Sequence, residues 1–135
     1  YFQYLHNYGH PVFGWQQIGG TWYFFDSIGD MVTEWLKIDG YYYYFGSSGA
    51  ITKNAWVYTL DHFQYLDNYG HKVFGWQRIG GTWYFFDKDG FMKTGWLTYN
   101  GNLYYLNSSG AMVTGKQLIN NKYEYFDAFG IHIKK

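Results

Sequence analysis

The sequence predicts an all-β fold, a solenoid (superhelix) of about six to seven β-hairpin repeats of roughly 20 residues each. The hairpin signal is clearest at residues 75–94, where two aromatic-led runs flank the pair Gly80-Gly81. Two strands joined by two residues that tolerate positive φ form a hairpin with a primed turn. Residues 14–33 repeat this pattern closely, and no segment shows the 3.6-residue period of a helix.

The two-residue turns divide a single repeat module into units. Most of these turns use Gly, Asn or Asp, which enter positive φ at low cost. They are Gly19-Gly20, Asp39-Gly40, Gly80-Gly81, Asn100-Gly101 and Asn120-Asn121. In register with them, the units of the module 1–135 are 1–13 (partial), 14–33, 34–54, 55–74, 75–94, 95–114 and 115–135. The unit at 55–74 has Leu60-Asp61 at this place, and we expect a distorted turn there.

A longer repeat joins the units three at a time. Residues 2–33 match residues 63–94 at 25 of 32 positions under a shift of 61 residues. Because three units span this distance, the repeating module is a triplet of hairpins. An isolated two-stranded hairpin is marginal in water, so each unit needs its neighbours, and the stability is a sum over nearest-neighbour interfaces.

Composition excludes several classes of function. The formal net charge is zero, so the chain lacks the positive field that attracts nucleic acid. Acidic residues fall almost entirely at turns, where capping accounts for them, and we therefore predict no catalytic site and no enzymatic activity. Cysteine is absent, so the chain has no thiolate metal site. The matching histidines His10 and His71 lie a full triplet of hairpins apart, too far to bind one metal together, and we expect no metal and no cofactor. No apolar run is long enough to span a membrane.

The best units place two tryptophans on one face of a hairpin. Side chains alternate along a strand, so Trp83 and Phe85 share one face. We expect this face to line a groove between hairpins, because Trp would overfill a small interior. A box of rings without a carboxylate suits a quaternary ammonium, and a thioether can close one side. The expected cages are Trp76, Trp83, Tyr105 and Met92, and in the earlier copy Trp15, Trp22, Tyr44 and Met31.

Other grooves contain fewer suitable residues and form candidate weaker sites. One consists of Trp35, Tyr42 and Tyr65, with Ile51 at the place of the methionine, and another of Trp56, Phe63 and Phe85. A groove at Trp96 would lack its second ring, because Leu103 stands there.

The chain resembles the choline-binding repeats of Gram-positive surface proteins and of phage or autolytic wall hydrolases. The resemblance lies in the order of motifs within each repeat, which is G-W, then G-x-W-Y, then D-x-x-G-x-M-x-T. The resemblance covers essentially the whole chain. It implies a left-handed superhelix with about three hairpins per turn, and choline held between successive hairpins by the two cages given above. It further implies a secreted, cell-wall-associated binding module that anchors its protein to choline-decorated teichoic acids. Because Tyr1 falls inside a repeat, we expect a separate effector elsewhere in a longer protein.

A second interpretation is the binding of glucan or another glycan. The stretches FQYLHNYGHPV and FQYLDNYGHKV, which begin at Phe2 and Phe63, are similar to the glucan-binding repeats of glucansucrases and to clostridial toxin repeats. Polar contacts to a glycan would come from Gln16, Gln17, Gln77 and Arg78, beside the first tryptophans. A purely structural spacer is the third interpretation.

Overall fold

The computed structural model describes residues 10–134, and within this range it contains β-strands and no helix. The partial unit expected at 1–13 therefore lies mostly outside the described residues. The strands are β1 (Gly14–Ile18), β2 (Thr21–Phe25), β3 (Glu34–Ile38), β4 (Tyr41–Phe45), β5 (Ala55–Thr59), β6 (His62–Leu66), β7 (Gly75–Ile79), β8 (Thr82–Phe86), β9 (Gly95–Tyr99), β10 (Asn102–Leu106), β11 (Gly115–Ile119), β12 (Lys122–Phe126) and β13 (His132–Ile133). The all-β prediction is confirmed. A search of the described residues for a helix of membrane-spanning length and apolarity found none.

Each odd-numbered strand from β1 to β11 pairs with the strand that follows it, and β13 adds to the edge of β12. The register is the same from hairpin to hairpin, so that Trp15 faces Phe24 in the first and Trp76 faces Phe85 in the fourth. Two-residue turns fix this register, because a shift by one residue would move every side chain to the other face.

The hairpin turns use positive φ at both central residues, as in Gly80 (60°) and Gly81 (84°). The expected distortion at Leu60-Asp61 is wrong, since these residues have φ of 55° and 62° like the rest. Two bonds within the same hairpin hold the turn: the Thr59 hydroxyl donates to Gln64 Oε1 at 2.8 Å, and Gln64 Nε2 donates to the Thr59 carbonyl at 3.0 Å. The strand register and these two bonds thus hold a backbone conformation that Leu and Asp adopt at a cost of about 1 kcal/mol each.

A single hydrogen bond recurs between consecutive hairpins. The N–H of Met112 donates to the carbonyl of Trp83 at 2.9 Å, and the N–H of Ile51 donates to that of Trp22 at 3.0 Å. The donor in each case also forms an isolated bridge with the last residue of its own second strand, Leu106 or Phe45. We call these donors the bridge residues. They stack one hairpin on the next, which is the arrangement of a solenoid.

The chain falls into two compact units, which within the described residues are 10–57 with 65–72 and 58–64 with 73–134. In each unit the last residue of the second strand is buried in every hairpin. These residues are Phe25, Phe45 and Leu66 in the first unit and Phe86, Leu106 and Phe126 in the second. Within the best hairpin, Phe86 is 1% exposed and Trp83 is 41% exposed, so that Trp83 is available to line a groove.

Two aromatic pockets as candidate functional sites

The first pocket lies in the second compact unit and draws its walls from three successive hairpins. Its volume is about 350 Å³. We call it the Trp76 pocket, and its lining residues are Trp76, Trp83, Tyr104, Met112, Ala128 and Phe129. None of these six side chains is charged.

The rings of this pocket meet edge to face. Trp76 on β7 and Trp83 on β8 lie on the same face of their hairpin, with centroids 6.5 Å apart and planes at 80°. Tyr104 on β10 lies 4.9 Å from Trp76 at 64°. Rings at steep angles present their faces to a common space, where the negative quadrupoles attract a cation. The arrangement can therefore hold a weakly hydrated ammonium without any carboxylate.

The second pocket, in the first compact unit, has nearly the same geometry. Its volume is about 320 Å³, and we call it the Trp15 pocket. Trp15 lies 6.4 Å from Trp22 at 84° and 4.9 Å from Tyr43 at 75°. The lining residues are Trp15, Trp22, Tyr43, Ile51, Lys53 and Tyr69.

His71 holds the third wall of the Trp15 pocket. Its Nε2 and the Tyr43 hydroxyl are joined by a hydrogen bond of 2.9 Å, and its ring stacks on Tyr41 at 3.8 Å. Burial raises the pKa of the Tyr43 phenol, and the charges of Tyr41, Asp39 and Asp67 raise it further. The phenol therefore stays neutral at physiological pH, and its hydroxyl remains available for this hydrogen bond.

The expected tryptophans lie in the two pockets, but the third ring of each cage is one residue earlier than predicted. Tyr105 packs against Trp96 at 5.0 Å, and Tyr104 takes the pocket position. Tyr44 likewise packs against Trp35 at 4.9 Å, and the pocket has Tyr43. The physical reason is alternation. A hairpin directs its tryptophan face toward the next hairpin, which meets it with its opposite face.

The methionine wall also comes from the next repeat. Met112 lines the Trp76 pocket and Ile51 lines the Trp15 pocket, whereas Met92 and Met31 line neither. Met92 instead packs against Gly110 so closely that a Cβ there would collide with its side chain. The same contact joins Met31 to Gly49.

The sequence prediction missed one wall of each pocket. Phe129 and Tyr69 belong to the turn of the hairpin after next, and they are 77% and 71% exposed. A signal for them exists in the sequence. Among the described turns, only these two have an aromatic ring at this place, and the others have Ile28, Ser48, Asp89 and Ser109.

The candidate weaker sites assemble differently from the prediction. Tyr65 packs against Trp56 at 5.2 Å, in place of joining Trp35 and Tyr42. Phe63 contacts Tyr58 at 4.7 Å, and Phe85 contacts Trp76 at 5.3 Å. At Trp35 and Tyr42 the bridge residue is Lys72, whose Nζ lies 5.1 Å and 4.5 Å from the two ring centroids. The expected Ile51 lines the Trp15 pocket.

The groove at Trp96 lacks its second ring, as expected, and polar groups stand there. His132, at the bridge position, lies 5.5 Å from the Trp96 ring. Its Nε2 is 2.8 Å from Glu124 Oε1, and Glu124 takes the place that Tyr104 has in its own hairpin. A carboxylate and an imidazole thus replace two apolar walls.

Comparison with known proteins agrees with this geometry. The profile of the choline-binding repeat matches residues 12–56, 73–116 and 93–130, more than half of the chain. A comparison with curated proteins gave no match.

Solved structures from pneumococcus and its phage are similar over most of the chain. Choline binding protein F from Streptococcus pneumoniae is 37% identical with a TM-score of 0.86, over 96% of this chain and 46% of that one. The modular autolysin LytC from Streptococcus pneumoniae is 33% identical with a TM-score of 0.78, over 97% and 30%. The pneumococcal cell wall endolysin from phage Cp-1, complexed with choline, is 31% identical with a TM-score of 0.63, over 90% and 37%. This chain thus spans less than half the length of each. By its repeat profile, its hairpins and its aromatic pockets, the chain belongs to the choline-binding repeat family.

Proposed function

We propose that this chain is a non-catalytic cell-wall-binding module that holds choline groups in the Trp76 and Trp15 pockets. The observation that carries the proposal is the wall chemistry. Each pocket presents three aromatic faces at steep angles and an aliphatic or thioether side chain, with no carboxylate among the lining residues. A trimethylammonium group is cationic and weakly hydrated, so it gains cation–π attraction in such a box and loses little solvation.

Anchoring to a Gram-positive surface follows from this ligand. Choline-decorated teichoic acids would present many copies of the group, and two pockets on one chain would bind with higher avidity than either alone. The module would then hold a secreted protein at the cell wall. Relatives described as a modular autolysin and as a multimodular endolysin support a separate effector in the parent protein.

Three of the four polar side chains expected to contact a glycan, the glutamines, are engaged with the backbone, and the fourth, Arg78, is exposed. Gln77 Nε2 donates to the Phe74 carbonyl at 2.9 Å, and Gln16 Nε2 donates to the Phe13 carbonyl at 3.0 Å. Gln17 Nε2 donates to the Gly20 carbonyl at 3.4 Å. These bonds orient the first strand at its two ends, and they account for the glutamines without a sugar. We therefore put forward no glycan function.

The test uses the chain's seven tryptophans as local reporters. In ¹H–¹⁵N NMR spectra, each indole N–H signal, assigned through Trp→Phe variants, reports on its own groove. We expect choline, and not dextran, to shift the signals of Trp15, Trp22, Trp76 and Trp83 in a saturable way. Isothermal titration should count two sites. Response to dextran alone, or silence from all four signals, would refute the proposal.

A further inference from the structure

The bridge residues differ in charge from groove to groove. Those that line the two open pockets, Ile51 and Met112, are uncharged. The bridge residue of the groove at Trp35 and Tyr42 is Lys72, a primary ammonium on a four-carbon stem. Trp35, Tyr42 and Lys72 belong to the same compact unit, and we call them the Lys72 groove.

The backbone fixes where this lysine begins. The N–H of Lys72 donates to the carbonyl of Tyr42 at 2.8 Å, the bond that Ile51 and Met112 also make to the preceding hairpin. The side chain thus starts at the point where Met112 starts in the Trp76 pocket. Met112 remains at the wall of its pocket and leaves a cavity of about 350 Å³.

The lysine side chain ends over the rings. Its Nζ is 4.5 Å from the Tyr42 centroid and 5.1 Å from the Trp35 centroid. Both distances are within the roughly 6 Å over which a cation is attracted to a ring face. Trp35 and Tyr42 correspond in the repeat to Trp76 and Trp83, the pair that lines the open pocket. The ammonium of the chain therefore stands at the ring pair that would otherwise receive a ligand cation.

We infer that Lys72 is a built-in occupant of the Lys72 groove and is the residue that excludes choline from it. The inference rests on the proposed function of the two open pockets. A tethered ammonium competes at an effective concentration in the millimolar range or above, and its charge repels a second cation. Within the Lys72 groove the ammonium of Lys72 thus makes the cation–π contacts that a ligand would make in an open pocket. We call this contact between two hairpins the clasp, and the groove that contains it binds no external ligand.

The experiment follows the Trp35 indole signal during a choline titration. In the wild type we expect this signal to stay unchanged while the signals of Trp15 and Trp76 shift. In K72M the side chain stays unbranched, is one atom shorter and loses its charge, and we expect the Trp35 signal to shift and saturate. The matched control is K37M, because Lys37 Nζ also lies over Tyr42, at 5.4 Å, but from within the same hairpin. K37M should leave Trp35 silent.

Two results would overturn the inference: a saturable Trp35 shift in the wild type, or a silent Trp35 in a K72M chain whose spectrum shows a folded protein. A ligand-free measurement separates this inference from the proposed function. Ring currents should move the Hε protons of wild-type Lys72 upfield of those of Lys88, whose side chain is 89% exposed and lines neither pocket. If the pockets fail to bind choline but this upfield shift is present, the clasp stands and the proposed function falls. If the upfield shift is absent, the clasp itself is refuted.

Discussion

The Trp76 and Trp15 pockets share their inner walls and differ in their outer ones. Two tryptophans and a tyrosine have the same separations to within 0.1 Å in both pockets. The outer walls are Met112 and Phe129 in one pocket, and Ile51, Lys53 and Tyr69 in the other. The inner walls lie on strands whose register is fixed by the turns. The outer walls lie in the segments between hairpins, where substitution leaves the strand pairing intact.

This difference indicates that the two pockets have unequal affinities for the same cation. Lys53 places a positive charge at the mouth of the Trp15 pocket, and the Trp76 pocket has no charged lining residue. We expect the Trp76 pocket to bind choline more tightly and with less dependence on salt. The following variants test the comparison, from the largest expected effect to the smallest.

Removal of the second-strand tryptophan should abolish one pocket at a time. W83A takes away a ring that provides about 1–2 kcal/mol of cation–π attraction, so affinity at the Trp76 pocket should fall about five- to thirtyfold. W22A should do the same at the Trp15 pocket. Isothermal titration is expected to count one site in either variant and none in the double variant. Because more than a third of each ring is exposed, both variants should remain folded, with a modest decrease in the unfolding midpoint by circular dichroism. Y123A in the last hairpin serves as a control that keeps both sites. Two sites in the double variant would exclude these pockets.

Loss of the turn rings tests the outer walls directly. F129A removes a highly exposed ring that closes one side of the Trp76 pocket, and choline affinity there should decrease about two- to fivefold. Y69A should have a similar effect at the Trp15 pocket. The indole signals of Trp76 and Trp15 report each pocket separately. S109A, at the same place of another turn, should change neither affinity. Equal losses of affinity in S109A and F129A would mean that a change in the turn, and not the loss of the ring, weakens binding.

The charge at the mouth of the Trp15 pocket should distinguish choline from phosphocholine. In K53T, which has the residue found at the corresponding Thr114, we expect choline affinity of this pocket to rise about two- to threefold at low salt. Phosphocholine affinity should fall, because Lys53 no longer attracts the phosphate. The Trp22 indole signal provides the measurement, and K37T is the control with equal net charge. Identical responses of K53T and wild type to both ligands would show that Lys53 does not act on the ligand.

Exchange of the bridge residues should have the smallest effect. Met and Ile fill similar volumes, and the thioether adds polarizability, so M112I should weaken the Trp76 pocket by about twofold or less. I51M should strengthen the Trp15 pocket by a similar factor. Choline titrations of the two variants side by side check whether the affinity of each pocket rises or falls. A change of the same sign in both would mean that the bridge residue affects the stacking of hairpins and not the ligand.

The sequence was sufficient for the fold because the turn chemistry repeats. Pairs such as Asn100-Gly101 define both the hairpin and its register, and period-two alternation then separates Phe86 from Trp83. Leu60-Asp61 was misjudged because local preference gave way to the register of the strands around it. The outcome shows that a turn can be set by its neighbours at a modest cost.

Only the part of each pocket that lies within one hairpin could be predicted from the sequence. The four pocket tryptophans follow from alternation within a hairpin. Tyr104, Met112 and Phe129 depend on which face the next hairpin presents and how far along the chain the third one returns. Those are properties of stacking, which leave no local pattern in a single unit. Lys72 is the strongest example, because as a lone charged residue it gives no indication that its ammonium ends over two rings.

The walls of the Trp76 pocket come from three successive repeats, and Met112 also makes the backbone bond from one hairpin to the next. A ligand in this pocket therefore joins parts of the chain that would otherwise separate one hairpin at a time. In the proposed role as a surface anchor the module would be under tension, because drag on the attached protein would pull along the chain. Because a ligand that binds only the intact form stabilises it, the wall polymer itself would reinforce the module against peeling. Binding to the cell wall and the mechanical stability of the module would then increase together.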